Sequence, residues 1–444
     1  MDDDMLSDSA KEAPIKDPRE IIRAEPMSTS QINGVIITGL LSVVDGYDLL
    51  ATTFVAPALA TEFGVGLPGL GILLSSGLTG TLFGAFLLAP FADVVGRKPV
   101  VLISLFIMVV GMAASALTVS LNQLAATRLF AGVGIGAMMV IVNPIAAELA
   151  NERRRAFAIA IKSIGFPVGG VLGGLLAALT APYGWQIIFV VGAAAGLALV
   201  PVVVWLLPES IGYLVEKQPR GALQRVNAIL KRFGHQPLDR LPPASANARI
   251  PYLTIFQKEH VASTLYASAF SFLTWIAIFF FLSWQTQMLV SSGIEATTAA
   301  AISGSSSFSG AAGVLFFAFA SRWINERRLS VMSVFGLGLS LILFGLVPAT
   351  MWFLTLAAAV VGALITGATV ALYVVTTSAF ESRMLATGSG FVIGVGRIGS
   401  AVAPALAGLL FAHDLDRAWV ASIMGTAALV AALIMWVMPH RASA

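Results

Sequence analysis

Twelve apolar stretches run through this 444-residue chain, and each is long enough to cross a lipid bilayer. A helix that spans a membrane needs about 20 consecutive apolar residues. The stretches are continuous blocks without β-type alternation, so we predict helices. They cover roughly residues 33–59, 68–92, 99–118, 122–149, 157–181, 185–207, 262–290, 296–320, 329–349, 351–380, 385–412 and 417–438. The predicted fold class is therefore an all-α membrane protein with twelve transmembrane helices.

Charged residues are too few for a water-soluble protein of this length. They make up 11% of the chain, against about 25% in soluble domains. Segments 1–30 and 208–261 hold 12 each, which leaves 25 charged residues among the other 360. This distribution excludes a soluble enzyme, a nucleic-acid binder and a disordered protein. Cysteine is absent and the four histidines are scattered, so we predict neither a metal site nor a cofactor.

Basic residues indicate how the helices are oriented. Of the 26 Lys and Arg residues, 22 fall in the two tails and the even-numbered loops, three lie within helices, and one, Arg417, lies in an odd-numbered loop. Because cytoplasmic loops carry the excess of Lys and Arg, both termini and the central loop are expected in the cytoplasm. The acidic N-terminus lacks the basic-then-apolar order of a cleaved signal peptide, so we expect the first helix to insert into the membrane and not to be cleaved off.

The helices divide into two sets of six. We predict an N-terminal tail, a first bundle, a linker, a second bundle and a short tail, at 1–32, 33–207, 208–261, 262–438 and 439–444. Parallel six-helix repeats are one way in which transporters are built. FADVVGRKP after the second helix and FASRWINERR after the eighth are traces of such a repeat. The linker stretch 212–233 is amphipathic, and we expect it to lie on the membrane surface.

Two acidic residues, Asp45 and Asp48, lie near the middle of the first helix and share one face. A charge at that depth costs roughly 2.5–3.5 kcal/mol, so such residues are functional candidates. Two close carboxylates in a low dielectric cannot both ionise cheaply, so at least one is expected to take up a proton. We interpret the pair as a reversible proton carrier; the alternative is a pair buried for packing alone.

Two arginines also lie inside predicted helices. Arg128 in the fourth helix is deep enough to reach Asp48, and it would tune that carboxylate or form a static ion pair with it. Arg397 in the eleventh helix has no acidic residue nearby in the sequence. It is expected to grip a substrate anion in a bidentate fork, or else to pair with Asp45 or Asp48.

Further polar and aromatic residues have weaker signals. Lys162 can extend to the headgroups from the end of the fifth helix, and Glu148 is expected to pair with basic residues in 153–155. Aromatic faces and amides could shape a pocket for a ring substrate, although aromatic residues near helix ends are often interface anchors. The pocket candidates are Tyr47, Trp284, Gln285 and Tyr373.

Several motifs resemble those of the major facilitator superfamily. APFADVVGRKP is similar to GxxxDRxGRR after the second helix, with Ala89 and Val94 at two departing positions. ELANERRR is similar to ExxPxxxR, with Asn151 in place of proline, and LPES follows the sixth helix. The resemblance implies that the loop with Asp93 holds the cytoplasmic ends of the helices together and governs inward opening. The gating residues that it implies are Asp93, Arg97, Lys98, Glu148 and Arg155.

Within the superfamily, VVDGYDLLATTF resembles the aromatic acid:proton symporters, which carry D-G-[FY]-D in the first helix. The resemblance implies that Asp45 and Asp48 are required for transport. FLSWQTQML in the seventh helix departs from the family's SWLPTLL at Gln285, Gln287 and Met288, while GVGRIGSAVAP fits.

The sequence thus predicts a bacterial inner-membrane symporter, a monomer, that imports an aromatic or related carboxylate with protons. Its partners are expected to be a small organic anion, protons and the lipid bilayer. The alternative is a proton-coupled efflux antiporter, because SIGFPVGGVLGG in the fifth helix is similar to the antiporter motif gxxxGPxxGG, with Phe166 at the motif glycine. A receptor or a membrane enzyme is disfavoured, because the central loop is too small for a signalling domain and no catalytic cluster is visible.

Overall fold

Twelve helices form the body of the protein in a computed structural model that describes residues 17–243, 252–381 and 384–438. All twelve are long and apolar enough to cross a membrane, the second as part of the continuous helical span Leu67–Val95. They are α1 (Thr29–Phe54), α2 (Leu67–Phe83), α3 (Arg97–Ala116), α4 (Leu121–Leu149), α5 (Arg155–Thr180), α6 (Gln186–Leu206), α7 (Val261–Ser291), α8 (Ala296–Ala320), α9 (Glu326–Leu346), α10 (Met351–Ala379), α11 (Leu385–Ala412) and α12 (Arg417–Val437). No described residue is in a strand. The predicted twelve-helix, all-α fold is confirmed.

The first helix differs from its predicted bounds at both ends. It begins at Thr29, because Ser28 and Gln31 form a capping box in which each side chain accepts a hydrogen bond from the other's backbone N–H. It ends at Phe54, and a separate short helix, Ala56–Glu62, follows. Pro57 has no backbone N–H to continue the first helix, but it fits the first turn of the short helix Ala56–Glu62. The predicted tails at 1–16 and 439–444 lie outside the described residues.

The two halves of the chain repeat one packing order. In each half the first helix packs on the fifth, the second on the fourth, and the third on the fourth and the sixth. The pairs α1–α5 and α7–α11 therefore correspond, as do α3–α6 and α9–α12. Such a repeat is expected where two six-helix bundles are related by an axis along the membrane normal.

The molecule has two ends, which we call the basic end and the opposite end. The basic end carries Arg97, Arg155 and the linker, and the opposite end carries the connections at 63–66, 117–120, 181–185, 292–295, 347–350 and 413–416. Two close seams join the bundles, α2 to α11 and α5 to α8. A Cβ on Gly71 would lie 2.7 Å from the carbonyl oxygen of Pro404, and one on Gly174 would lie 2.6 Å from the Cα of Gly304. Both contacts lie in the half of the molecule toward the opposite end.

The linker helix Ala222–Phe233 packs on the protein. The prediction that this stretch lies on the membrane surface is therefore wrong. The buried residues Val226, Leu230 and Phe233 of this helix share one apolar core with residues of the first bundle. The stretch is amphipathic, as the sequence indicated, but its apolar face covers the basic end of that bundle. A sequence shows that a helix has an apolar face and leaves open which surface that face will cover.

Candidate substrate and proton site

A buried ion pair joins α1 to α4 near the middle of the first bundle. Arg128 Nη1 donates to Asp48 Oδ1 at 2.5 Å, and both side chains are almost completely buried. Arg128 Nε donates to Ser115 Oγ at 3.0 Å, and the guanidinium lies 4.8 Å from the ring centroid of Phe189. Asp48 Oδ2 and Arg128 Nη2 have no hydrogen-bond partner. The pair is therefore electrically balanced but incompletely hydrogen-bonded, and a buried polar atom in that condition is costly.

A narrow cavity adjoins this ion pair and lies between the two bundles. It has a volume of about 20 Å³, room for about one water molecule, and is lined by Asp48 and Arg128 from the first bundle and by Phe279 and Ser283 of α7 from the second. Asp45 and Asp48 are 2% and 1% exposed, so both aspartates of α1 face the interior of the helix bundle and not the acyl chains.

Asp45 has a different environment from Asp48. It is 2% exposed, its Oδ1 has no hydrogen-bond partner, and no basic group lies within the 4.0 Å of an ion pair in the described part of the chain. Lys162, Asp48 and Arg397 are the charged groups that interact with it electrostatically. An isolated buried carboxylate is costly when charged, so it is suited to gaining and losing a proton.

Lys162 is the residue of this group whose orientation sequence reasoning missed. It was expected to extend toward the headgroups, but it is half-buried and interacts electrostatically with Asp45 across the α1–α5 contact. A usable signal was present, because Gly165 and Gly169 pack against α1. Lys162 precedes them by one and two turns and therefore shares their face.

Arg397 is also buried, and no carboxylate of the described residues forms an ion pair with it. It is 8% exposed, its Nη1 contacts Met139 Sδ at 3.5 Å, and its guanidinium lies 5.8 Å from the ring centroid of Trp275. Its Nε has no hydrogen-bond partner. The alternative interpretation, an ion pair with Asp45 or Asp48, is absent from the described residues. What remains is a buried cation that lies between the bundles, with donors to spare for an anion.

Three of the predicted pocket residues form hydrogen bonds to neighbouring helices. The Tyr47 hydroxyl donates to the Ile188 carbonyl at 2.6 Å, which ties α1 to α6. The Trp284 indole N–H donates to the Pro404 carbonyl at 3.0 Å, which ties α7 to α11. Gln285 Oε1 accepts from Ser306 at 3.0 Å, while its buried Nε2 has no partner.

Two of these aromatic side chains lie beside small residues of other helices. A ring beside small residues fills the groove that they leave, and Tyr47 lies against Gly192 while Trp284 lies against Gly408. Tyr373 is 55% exposed, yet it is an electrostatic neighbour of Arg397. Trp275 is the aromatic residue beside that guanidinium.

A network of carboxylates closes the basic end of the first bundle. Arg97 donates to Glu148 Oε1, and Ser210 Oγ donates to Glu148 Oε2 at 2.5 Å. Glu209 Oε1 accepts from the backbone N–H groups of Arg97 and Lys98 at 2.9 and 3.1 Å. The turn is tight because Gly96 has φ +108°, and a Cβ there would meet the Glu209 carboxylate.

This network corrects one prediction and adds two residues. Glu148 pairs with Arg97 and Ser210, not with residues 153–155, because α3 and the LPES turn lie nearer to its carboxylate. Glu209 and Ser210 were not predicted, although LPES was the available signal. Asp93 and Arg155 are exposed and form no ion pair within the described ranges. Lys98 donates through Nζ to the Val204 carbonyl at 2.7 Å.

Proteins of similar sequence are named as transporters of aromatic acids. A gallate transporter of Pseudomonas putida is 28% identical over 97% of this chain and 96% of its own length. The 4-hydroxybenzoate transporter PcaK of Acinetobacter baylyi is 26% identical over 95% and 94%. The 3-(3-hydroxy-phenyl)propionate transporter of Escherichia coli is 28% identical over 91% and 93%.

Solved structures share the fold at low sequence identity. The xylose transporter XylE from E. coli, in a partially occluded inward open conformation, superimposes with a TM-score of 0.72 at 15% identity. The match covers 93% of this chain and all of XylE. A bacterial homologue of the human lysosomal transporter Spinster, inward-facing and unoccupied, gives a TM-score of 0.67 at 14% identity over 93% and 96%.

The model of the Major Facilitator Superfamily matches residues 38–332, which is well over half of the chain. This match, the twelve spanning helices and the transporter relatives confirm the predicted resemblance and the prediction that the chain is not an enzyme. The relatives' names agree with the aromatic acid:proton symporter resemblance that D-G-Y-D in α1 predicted. The protein is a multi-pass membrane protein that belongs to the Major Facilitator Superfamily.

Proposed function

We propose that this protein is a proton-coupled symporter that imports an aromatic carboxylate. The observation that carries the proposal is Arg397, a buried guanidinium with no carboxylate partner, situated between the two bundles beside an aromatic ring. Burying an unpaired charge is expensive. The cost is understandable if the missing anion is the transported substrate.

The chemistry around Arg397 fits a ring acid. A guanidinium binds a carboxylate through two parallel hydrogen bonds, and the Arg397 Nε is free to make one of them. Trp275 offers a π-face at the same place. The relatives named for gallate, 4-hydroxybenzoate and hydroxyphenylpropionate support a substrate of one carboxylate and one ring.

The two aspartates supply the coupling in this proposal. A proton that binds Asp48 weakens its attraction to Arg128, and a proton on Asp45 removes a negative charge that acts on Lys162 and Arg397. Either event leaves the site more positive, so the substrate anion binds more tightly. Reorientation then carries a charge-balanced site across, because moving an unpaired charge through a low dielectric is costly.

Orientation and energetics complete the proposal. The basic end faces the cytoplasm of a bacterium, in the inner membrane, because basic loops are retained there. Each pH unit supplies about 1.4 kcal/mol per proton, and each net charge moved supplies about 2.3 kcal/mol per 100 mV. One proton with one monoanion would be insensitive to voltage. The protein acts as a monomer, since one chain holds all the residues named.

Uptake into proteoliposomes tests the proposal. The purified protein is reconstituted, an inward proton gradient is imposed, and the voltage is clamped with potassium and valinomycin while labelled 4-hydroxybenzoate or gallate is followed. We expect accumulation that collapses when the pH gradient is removed. Extrusion of preloaded substrate under the same gradient would instead establish the efflux antiporter, and transport indifferent to the gradient would exclude proton coupling.

A further inference from the structure

A second cavity lies at the opposite end of the molecule, away from the central charges. It has a volume of about 430 Å³ and lies between α7, α9, α11 and the start of α12, with Leu67 of α2 at its edge. Small-molecule sites typically occupy about 300–1,000 Å³. No residue of the proton and substrate site described above contributes to it except Trp284.

One cation lies in the wall of this cavity, and hydrogen bonds hold it in place. Arg417 donates to the carbonyls of Gly345 and Val347 at 3.2 and 2.6 Å and to Ser292 Oγ at 2.9 Å. Within the described chain no carboxylate lies within 4.0 Å of it. A guanidinium has five N–H groups. Three are used, so two remain for a ligand oxygen.

The charge pattern of the opposite end makes Arg417 the one position there that attracts an organic anion. The connections at this end and the residues that directly flank them, all of which the structure describes, contain Glu62, Glu295, Asp414 and Asp416, and their only Lys or Arg is Arg417 at the start of α12. Asp416 also lines the cavity, but it is exposed and its Oδ1 accepts from the Trp419 backbone N–H at 3.0 Å. It caps α12 and leaves the guanidinium unpaired.

The remaining walls suit a hydroxylated ring. Trp284 and Phe411 lie with their ring centroids 4.9 Å apart, and Met288 lines the same space. The Trp284 N–H is already bonded to Pro404, so the indole offers its apolar surface. Gln287 also lines the cavity, and its buried Oε1 accepts no hydrogen bond. An acceptor in that condition is satisfied by a ligand hydroxyl.

We propose that this cavity is a capture subsite at which an aromatic carboxylate is held before it enters the central site. Its carboxylate binds Arg417, its ring packs on Trp284 and Phe411, and a ring hydroxyl donates to Gln287. The inference rests on the proposed function for the identity and the direction of the substrate. The cavity adjoins the α2–α11 seam, since Gly408 of that seam contacts both Leu67 and Trp284.

Uptake kinetics of the full chain in proteoliposomes test the subsite with 4-hydroxybenzoate and benzoate. We expect Arg417→Gln to raise KM about tenfold for both acids, the effect of one charge-assisted hydrogen bond, with little change in the maximal rate. We expect Gln287→Leu to raise KM for 4-hydroxybenzoate and not for benzoate. Ala349→Trp fills the cavity from an exposed edge and should raise KM for both acids with Arg417 intact.

The matched control is Arg327→Gln. Arg327 also caps helix carbonyls in the second bundle, those of Met435 and Met438, but at the basic end. Its loss should leave KM unchanged. An unchanged KM in both Arg417→Gln and Ala349→Trp would overturn the subsite, as would a loss of maximal rate alone, which would make Arg417 only a helix cap. If wild-type protein transports neither acid, the proposed function itself fails.

Discussion

The two bundles use their arginines in different ways. In the first bundle, Arg128 and Arg97 each bind a carboxylate, on Asp48 and Glu148 respectively. In the second, Arg327 and Arg417 donate to backbone carbonyls at helix ends, and Arg397 contacts a sulfur and an aromatic ring. The repeat therefore preserved the helix packing while the charge chemistry of the two halves diverged.

This difference separates two tasks. A bundle whose cations are balanced by its own carboxylates changes state when one of those carboxylates gains a proton. A bundle whose buried cation has no carboxylate changes state when an anion arrives from outside. We infer that proton sensing belongs to the first half and anion binding to the second, with the cavity between α1 and α7 at their junction.

Removing Asp48 should have the largest effect. Asp48→Asn leaves Arg128 buried without its counter-charge, and breaking such a pair costs about 3–5 kcal/mol. We expect a clear drop in the thermal unfolding temperature and loss of proton-driven uptake. The double variant Asp48→Asn/Arg128→Gln should regain most of the stability but none of the coupling. Full accumulation by the double variant would contradict the proton-carrier role.

Removing Arg397 should change the unfolding temperature in the opposite direction from removing Asp48. Arg397→Gln removes a buried unpaired charge, so the thermal unfolding temperature should stay the same or rise while substrate affinity is lost. Arg397→Lys keeps the charge but loses the fork, and we expect KM for aromatic carboxylates to rise about tenfold or more. A lower unfolding temperature in Arg397→Gln would show that the guanidinium has an internal partner and that the two bundles do not differ in this respect.

Asp45 should affect coupling more than folding. Asp45→Asn replaces a carboxylate that has no ion pair by a neutral group of nearly the same shape, so the stability should hold. The variant should still exchange internal for external substrate, but it should lose the accumulation of about tenfold per pH unit that one coupled proton provides. Retained gradient-driven accumulation would assign the proton to Asp48 alone.

The smallest effects are expected at the basic end, where the two copies of the loop motif can be compared directly. Glu148→Gln removes the carboxylate that Arg97 and Ser210 share, and partly exposed pairs contribute about 0.2–1 kcal/mol. We expect the transport rate to fall severalfold with KM retained. Arg327→Gln should lower the unfolding temperature slightly and leave the rate unchanged. Equal rate losses in both variants would remove the functional distinction between the two copies.

The fold and the charged centre could be predicted because both rest on large energies. Apolar length identifies the twelve helices, and the cost of a charge in the membrane singles out Asp45, Asp48, Arg128 and Arg397. The orientation of each helix about its own axis rests on smaller packing differences. For that reason the sequence named Tyr47 and Trp284 as pocket candidates without indicating that their polar groups bind carbonyls of neighbouring helices, and it placed Lys162 at the headgroups.

Contacts that span two helices were also out of reach of the sequence. Glu148 was assigned to the nearest basic run, but it binds groups 51 and 62 residues away. Local sequence distance is a poor guide where three helix ends converge. The LPES turn was recognised by its resemblance alone, and the geometry now explains it, because Glu209 accepts both N–H groups at the start of α3.

The glycine seams between the bundles have a consequence for speed. Glycine surfaces carry no side chains that must find new rotamers when the surfaces separate, and they let the helix backbones approach closely. At Gly71 and Gly174 the bundles can therefore separate without rearranging glycine side chains. At these two positions the bundles meet backbone to backbone, without interdigitating side chains. Such a contact suits a molecule whose bundles must separate and rejoin in every turnover.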